Sequence, residues 1–157
     1  MKITITAEHI YRLDISPVQP VIDALNQGKK GTNLAQSVQL EIDFPREETD
    51  PRELSEIPEV RLWFVRLDAV YPWFPFVLDW GTQWARYVAM LVPHQFHRAE
   101  GIQYNPEALE IFVMYKVFGI THWLNQRGEG ATGKVQDMMQ VLGYEVDEGL
   151  FNLLGEV

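Results

Sequence analysis

The chain has 157 residues, is 46% hydrophobic and 12% aromatic, carries a formal net charge of −9, and contains no cysteine. That length and apolar content let one domain, 1–157, bury a core, and they exclude a disordered chain. The missing cysteines exclude disulfides, thiolate metal ligands and cysteine nucleophiles, and they favour a reducing, cytoplasm-like compartment.

Alternation of Ile3, Ile5 and Ala7 with threonines predicts a strand over Lys2–Ala7. Ser16-Pro17 supplies a helix cap, and a helix is expected to about Gln27, closed by Gly28. Gly28–Gln36 is polar and turn-rich. Val38, Leu40, Ile42 and Phe44 alternate with polar residues, which predicts a second strand ended by Pro45. Val60, Trp63, Phe64, Leu67 and Tyr71 recur at helical spacing behind Pro58. Pro72 and Pro75 then force an aromatic corner, and a further helix is expected over about Thr82–Val92.

Asn105-Pro106-Glu107 is a strong helix start, combining a capping side chain, a proline at the first helical position and an acid in the first turn. The helix should run to about Gln126. It is apolar nearly all round, so it is expected to be the most buried element. Val135, Met138, Met139 and Leu142 mark another helix, and Asp147 can cap a last one through Leu154. The expected fold class is α+β: a single, mostly helical domain with a small N-terminal β-sheet. No segment approaches the ~20 apolar residues of a membrane span. MKITIT lacks the apolar stretch of a signal peptide, so a cytoplasmic chain without membrane insertion is expected.

Charge is unevenly placed. Glu41–Glu59 holds eight acids against two arginines, a net −6. Such a surface repels nucleic acid, because phosphate binding needs clustered Lys and Arg. It suits a basic protein partner, or serves only as a solvated face. Nine of the nineteen aromatics fall between Trp63 and Tyr87. Prolines in the Tyr71–Phe76 corner prevent a regular helix from burying every ring. The expected docking residues are therefore Glu47, Glu48 and Glu53, which steer a client, with Trp73 and Phe74, which hold it.

Three other features carry possible chemistry. Gly128-Glu-Gly130-Ala-Thr-Gly133-Lys134 mimics a phosphate-binding loop, but it follows a helix, and Val135 offers no hydroxyl for magnesium; a helix-to-helix linker accounts for it better. His94, His97 and Glu100 could hold a metal if helical, although Pro93 and Gly101 favour a loop or single turn. Lys116 falls within the apolar face of Leu109, Phe112, Ile120 and Trp123. A buried ammonium is costly unless paired, so three readings compete: it meets an acid such as Asp68 or Asp79, extends its tip to the surface, or serves as a functional amine. No complete catalytic motif is present, and no catalytic or cofactor-binding residue is assigned.

DPRELSEIPEVRLWFVRLDAVYPWFPFVLDW, ARYVAMLVPHQFHRAEGIQYNPEALEIFVMYKVF and MMQVLGYEVDEGLFNLL resemble the Chlororespiratory Reduction 6 family, with the resemblance running from about Ile3 to Leu154. It implies a non-enzymatic assembly or maturation factor for the photosynthetic NAD(P)H dehydrogenase-like (NDH) complex. The implied client is the ferredoxin-like iron–sulfur subunit of its peripheral arm. Without a plant-style transit peptide, the chain looks like a cyanobacterial cytoplasmic member, the plant relatives being stromal. Lacking cysteine, it cannot bind a cluster through the usual thiolates. Two alternatives stand beside this reading: a metal-dependent hydrolase using His94, His97 and Glu100, and a permanent structural subunit of a larger complex.

Overall fold

The structure is a computed structural model that describes residues 1–28, 37–130 and 132–155. The chain divides into two compact units, Met1–Leu91 and Val92–Val157, each of which contains one small sheet.

In the first unit, β1 (Lys2–Thr6) runs parallel to β2 (Gln39–Asp43), with Ile3 opposite Leu40 and Ile5 opposite Ile42. The alternation seen in the sequence is the burial pattern: Ile3, Ile5 and Leu40 are buried while Lys2, Thr4 and Glu41 are exposed. Parallel strands need a crossover. Here it includes a five-residue helix α1 (Ala7–Tyr11), a 3₁₀ turn at Ser16–Val18, and α2 (Gln19–Gln27). Helix α1 was not legible in the sequence. The turn-rich stretch expected over Gly28–Gln36 lies, beyond Gly28, outside the described residues.

The far edge of β2 is closed without a third strand. Val38 exchanges hydrogen bonds with Val77 and Asp79, both 2.9 Å. Next along, the Leu40 N–H donates to Gln83 Oε1 (3.0 Å), and the Leu40 carbonyl accepts from the Arg86 guanidinium (3.5 Å). Side chains thus supply the donors and acceptors that a neighbouring strand would.

Helix α3 (Pro58–Val70) starts at the expected proline and buries Val60, Trp63, Phe64 and Leu67 of the predicted stripe, while its last member, Tyr71, is the half-buried C-cap. The Trp63 indole N–H donates to the Asp14 carbonyl at 2.7 Å, which ties α3 to the loop after α1. A turn at Pro72-Trp73 and a 3₁₀ helix at Phe74–Val77 form the aromatic corner. The helix expected from Thr82 begins differently: Trp80–Trp84 is a π-helical turn, and only Ala85–Leu91 (α4) is α-helical. The Asp79 carboxylate accepts from the Gly81 N–H (3.2 Å) and from Gln39 Nε2 (3.1 Å), so it fixes both that turn and the end of β2. Those hydrogen bonds, Gln39's foremost, lower its pKa. Trp63, Phe64, Tyr87 and Trp84 form a chain of ring contacts at 5.2, 5.6 and 6.3 Å between centroids. Fully buried Tyr87 donates its hydroxyl to Asp68 (2.9 Å). Burial first, then the Asp68 charge, pushes the phenol's pKa well up.

In the second unit, the loop or single turn expected around His94–Glu100 is an antiparallel ribbon, β3 (His94–His97) with β4 (Gly101–Tyr104). Gly101 sits at φ 74°, a left-handed conformation that closes such a turn and that a side chain would resist. The Asn105 N–H bonds the Pro93 carbonyl at the ribbon's base, while its side chain accepts from the Ala108 N–H (3.1 Å) to cap α5 (Pro106–Gln126). Helix α6 (Thr132–Gln140) buries Val135, Met138 and Met139, and α7 (Glu148–Gly155) buries Phe151 behind its Asp147 cap. Both pack on α5.

The expectation that α5 is the most buried element fails. Val113, Lys116, Val117, Ile120, Thr121 and Leu124 are buried, but Ile111, Tyr115 and Phe118 are 67%, 56% and 45% exposed. Composition alone made the helix look apolar all round, whereas its neighbours cover one side. The class is α+β, with two small sheets among the described residues where one was expected. Among the described residues, no helix is long and apolar enough to cross a membrane.

Candidate protein-docking surfaces

The acidic segment leaves β2 at Asp43 and returns as the 3₁₀ turn Leu54–Glu56 that leads into α3. Two ties shape the loop between. Asp50 accepts from Arg52 Nε, Arg52 Nη2 and the Arg52 N–H at 2.8–3.2 Å. Those hydrogen bonds, the side-chain ones foremost, hold the Asp50 carboxyl at a pKa of about 2. Arg46 Nη1 donates to the Arg52 carbonyl. The loop borders a concavity of about 510 Å³, with Glu47, Asp50, Glu59, Arg46 and Arg52 at its lining. Its aromatic wall is Tyr11 against Phe44, centroids 5.5 Å apart, and Tyr11 is 67% exposed. Charges of both signs line the groove, while Glu47 and Glu48 are exposed carboxylates. Glu53 differs. Its N–H donates to the Glu56 carboxylate at 2.6 Å, so it belongs to the cap of the 3₁₀ turn.

The rings of the corner separate sharply. Phe74 is 0% exposed and is a core ring, which corrects its expected place on a docking surface. Trp73 is half-buried, with Tyr71 at 5.7 Å. The corner follows the C-terminal end of α3 and the acidic loop precedes its N-terminal end, so thirteen residues of helix separate them. At 1.5 Å per residue that is about 20 Å. Neighbours in sequence are therefore not one patch. The aromatic beside the acids is Tyr11, which sequence reading missed because nothing local ties residue 11 to residue 44.

His94, His97 and Glu100 do not converge. Strand residues three apart face opposite sides. The His94 ring lies 4.9 Å from Phe96 and 6.1 Å from Tyr104, with Nδ1 at 3.0 Å from the Val92 carbonyl. His97 Nδ1 instead accepts from the Ala99 N–H (3.3 Å), and Glu100 accepts from Gln103 Nε2. Among the described residues, no three His, Asp or Glu side chains form a group that could hold a metal. Burial pushes the neighbouring Tyr104 phenol up to about 12.

The glycine-rich motif follows α5 and leads into α6, as a linker does, with Gly128 at φ 67° ending the first helix; Ala131 lies outside the described residues. Lys116 is 0% exposed, so its tip does not reach the surface. Its ammonium lies 5.4 Å from the Phe112 ring centroid and 5.2 Å from that of Tyr115.

These features describe an acidic α+β protein whose distinctive chemistry lies in surface charge and half-exposed rings. The chain belongs to the Chlororespiratory reduction 6 family, whose model matches residues 5–153. No solved structure matches it. Membership suggests a role in assembly of the NDH complex, and an assembly-factor family implies protein partners.

Proposed function

We propose that this chain is a non-enzymatic maturation factor that holds the ferredoxin-like iron–sulfur subunit of the NDH peripheral arm before that subunit joins the complex. Working in the cytoplasm, or in the stroma in plant relatives, it releases the client and does not remain in the product. The observation that carries this reading is the family match over nearly the whole chain. The cysteine-free sequence supports a role in holding polypeptide, since thiolates to carry a cluster are absent. The exposed carboxylates Glu47 and Glu48 support steering of a basic client surface. Half-buried Trp73 remains a candidate anchor, and Phe74 does not.

A mild affinity purification of the tagged full-length chain, read by mass spectrometry beside a native gel, tests this. The iron–sulfur subunit should be enriched with the tagged chain, and the chain should be missing from the mature complex. Stable co-migration with the finished complex would make it a permanent subunit instead. Enrichment of other NDH subunits without the iron–sulfur one would reject the proposed client.

A further inference from the structure

Among the described residues, nothing in its own unit covers one side of helix α5. The three exposed residues Ile111, Tyr115 and Phe118 follow a four-then-three spacing, which His122 and Asn125 continue. In a helix that spacing is a seam, the d-a-d-a-d series against which a second helix packs at a shallow angle. Solvent-facing seams are ordinarily polar, whereas this one begins with an isoleucine and two aromatics. Beyond Phe118 it opens into a concavity of about 490 Å³ lined by Phe118, His122, Asn125, Gln126, Leu154 and Gly155. Helix α7 forms the other wall, held where Asn125 Nδ2 donates to the Leu154 carbonyl at 3.4 Å. Seam and concavity make a groove with room for one large side chain at its end.

Charge orients an occupant. Glu107 stands one turn before Ile111 on the same side, with exposed Glu110 beside it. Among the described residues the seam carries no lysine or arginine, its one basic side chain being His122, which is within 2.9 Å of Gln126 Nε2. We propose that this face of α5 docks an amphipathic helix of the client protein, its apolar side on Ile111, Tyr115 and Phe118 and its cationic end at Glu107 and Glu110. The mode is helix in groove. A second copy of the chain is the poorer fit, because two chains of net charge −9 repel each other. The inference rests on the reading of the protein as a client-binding factor and adds the surface and the secondary structure it recognises.

Two synthetic helices that share a leucine seam, one flanked by lysine and one by glutamate, serve as probes against the isotope-labelled full-length chain. Amide shifts should concentrate on Glu107–Gln126 and Leu154, and the lysine-flanked helix should bind at least about tenfold more tightly. Ile111→Ser combined with Phe118→Ser should weaken that binding at least about fivefold while the melting curve stays in place. Should the pair disturb folding, Ile111→Glu is the substitute. Shifts centred on Glu41–Glu59, or binding indifferent to these substitutions, would overturn the proposal. So would a dimer in sedimentation that the substitutions abolish, which would assign the face to a second copy. If the iron–sulfur subunit is captured equally by native and substituted chains, the groove is wrong and the proposed function stands. If the probe binds the groove but that subunit is never captured, the docking mode stands and the client identity falls.

Discussion

Asp50 accepts from both the guanidinium and the N–H of Arg52, so a two-residue span carries a clamp that organises the acidic loop. Arg52 answers in kind, its pKa raised by the same hydrogen bonds. A carboxyl with a depressed folded pKa contributes order above its unfolded value and loses it as pH falls through the folded one. Order in this loop is therefore present above the ordinary 3.8 and is lost as pH drops through about 2. An NMR titration should place the Asp50 inflection near 2 and show faster amide exchange across the loop in Asp50→Asn. An inflection at the ordinary carboxylate value would mean that the clamp does not persist in solution. Arg52 is exposed and Asp50 only partly covered, so the effect belongs to local order and adds little to global stability.

At the scale of elements, the β1–β2 pair is too small to stand by itself, since two strands leave two open edges. The edge of β2 is closed by Gln83 from the π-helical turn and Arg86 from α4. An extra residue in a helical turn rotates the next residues about the axis, and here the turn delivers Gln83 to the Leu40 N–H. Gln83→Ala should leave that part-buried donor unpaired at a cost of about 1–3 kcal/mol, read from urea unfolding. A change below about half a kcal/mol would show that water replaces the glutamine without loss. The N-cap of α5 works on the same logic, with Asn105 satisfying one of the otherwise orphaned first-turn donors.

Over the whole molecule, the surfaces proposed for steering and for adhesion are separated by the length of α3. Sites this far apart should act independently. Glu47→Gln with Glu48→Gln should slow client association and flatten its salt dependence, whereas Trp73→Ala should speed dissociation. In the combined variant the two free-energy changes should add to within about 0.5 kcal/mol, as stopped-flow binding would show. A larger coupling would mean that both sets touch one feature of the client. Glu53 stays unaltered in this test, because its side chain takes part in the capping box with Glu56 and altering it would confound charge with local structure.

Periodicity carried much of this architecture. The β1 and β2 alternation, the Val60–Leu67 stripe of α3 and the Asn105-Pro106 start of α5 each depend on geometry within a few residues, so they can be read along the chain. The family resemblance was legible for the same reason, in uninterrupted runs of residues. Tertiary structure alone decided that β1 and β2 run parallel, that His94–Tyr104 folds as a ribbon, and that Phe74 is buried while Trp73 beside it is only half so. It alone brought Tyr11 against Phe44 and left Ile111, Tyr115 and Phe118 in solvent. Local geometry says which residues share a face. Which face is covered depends on distant segments that compete to bury apolar surface, and that competition is settled only when the chain packs.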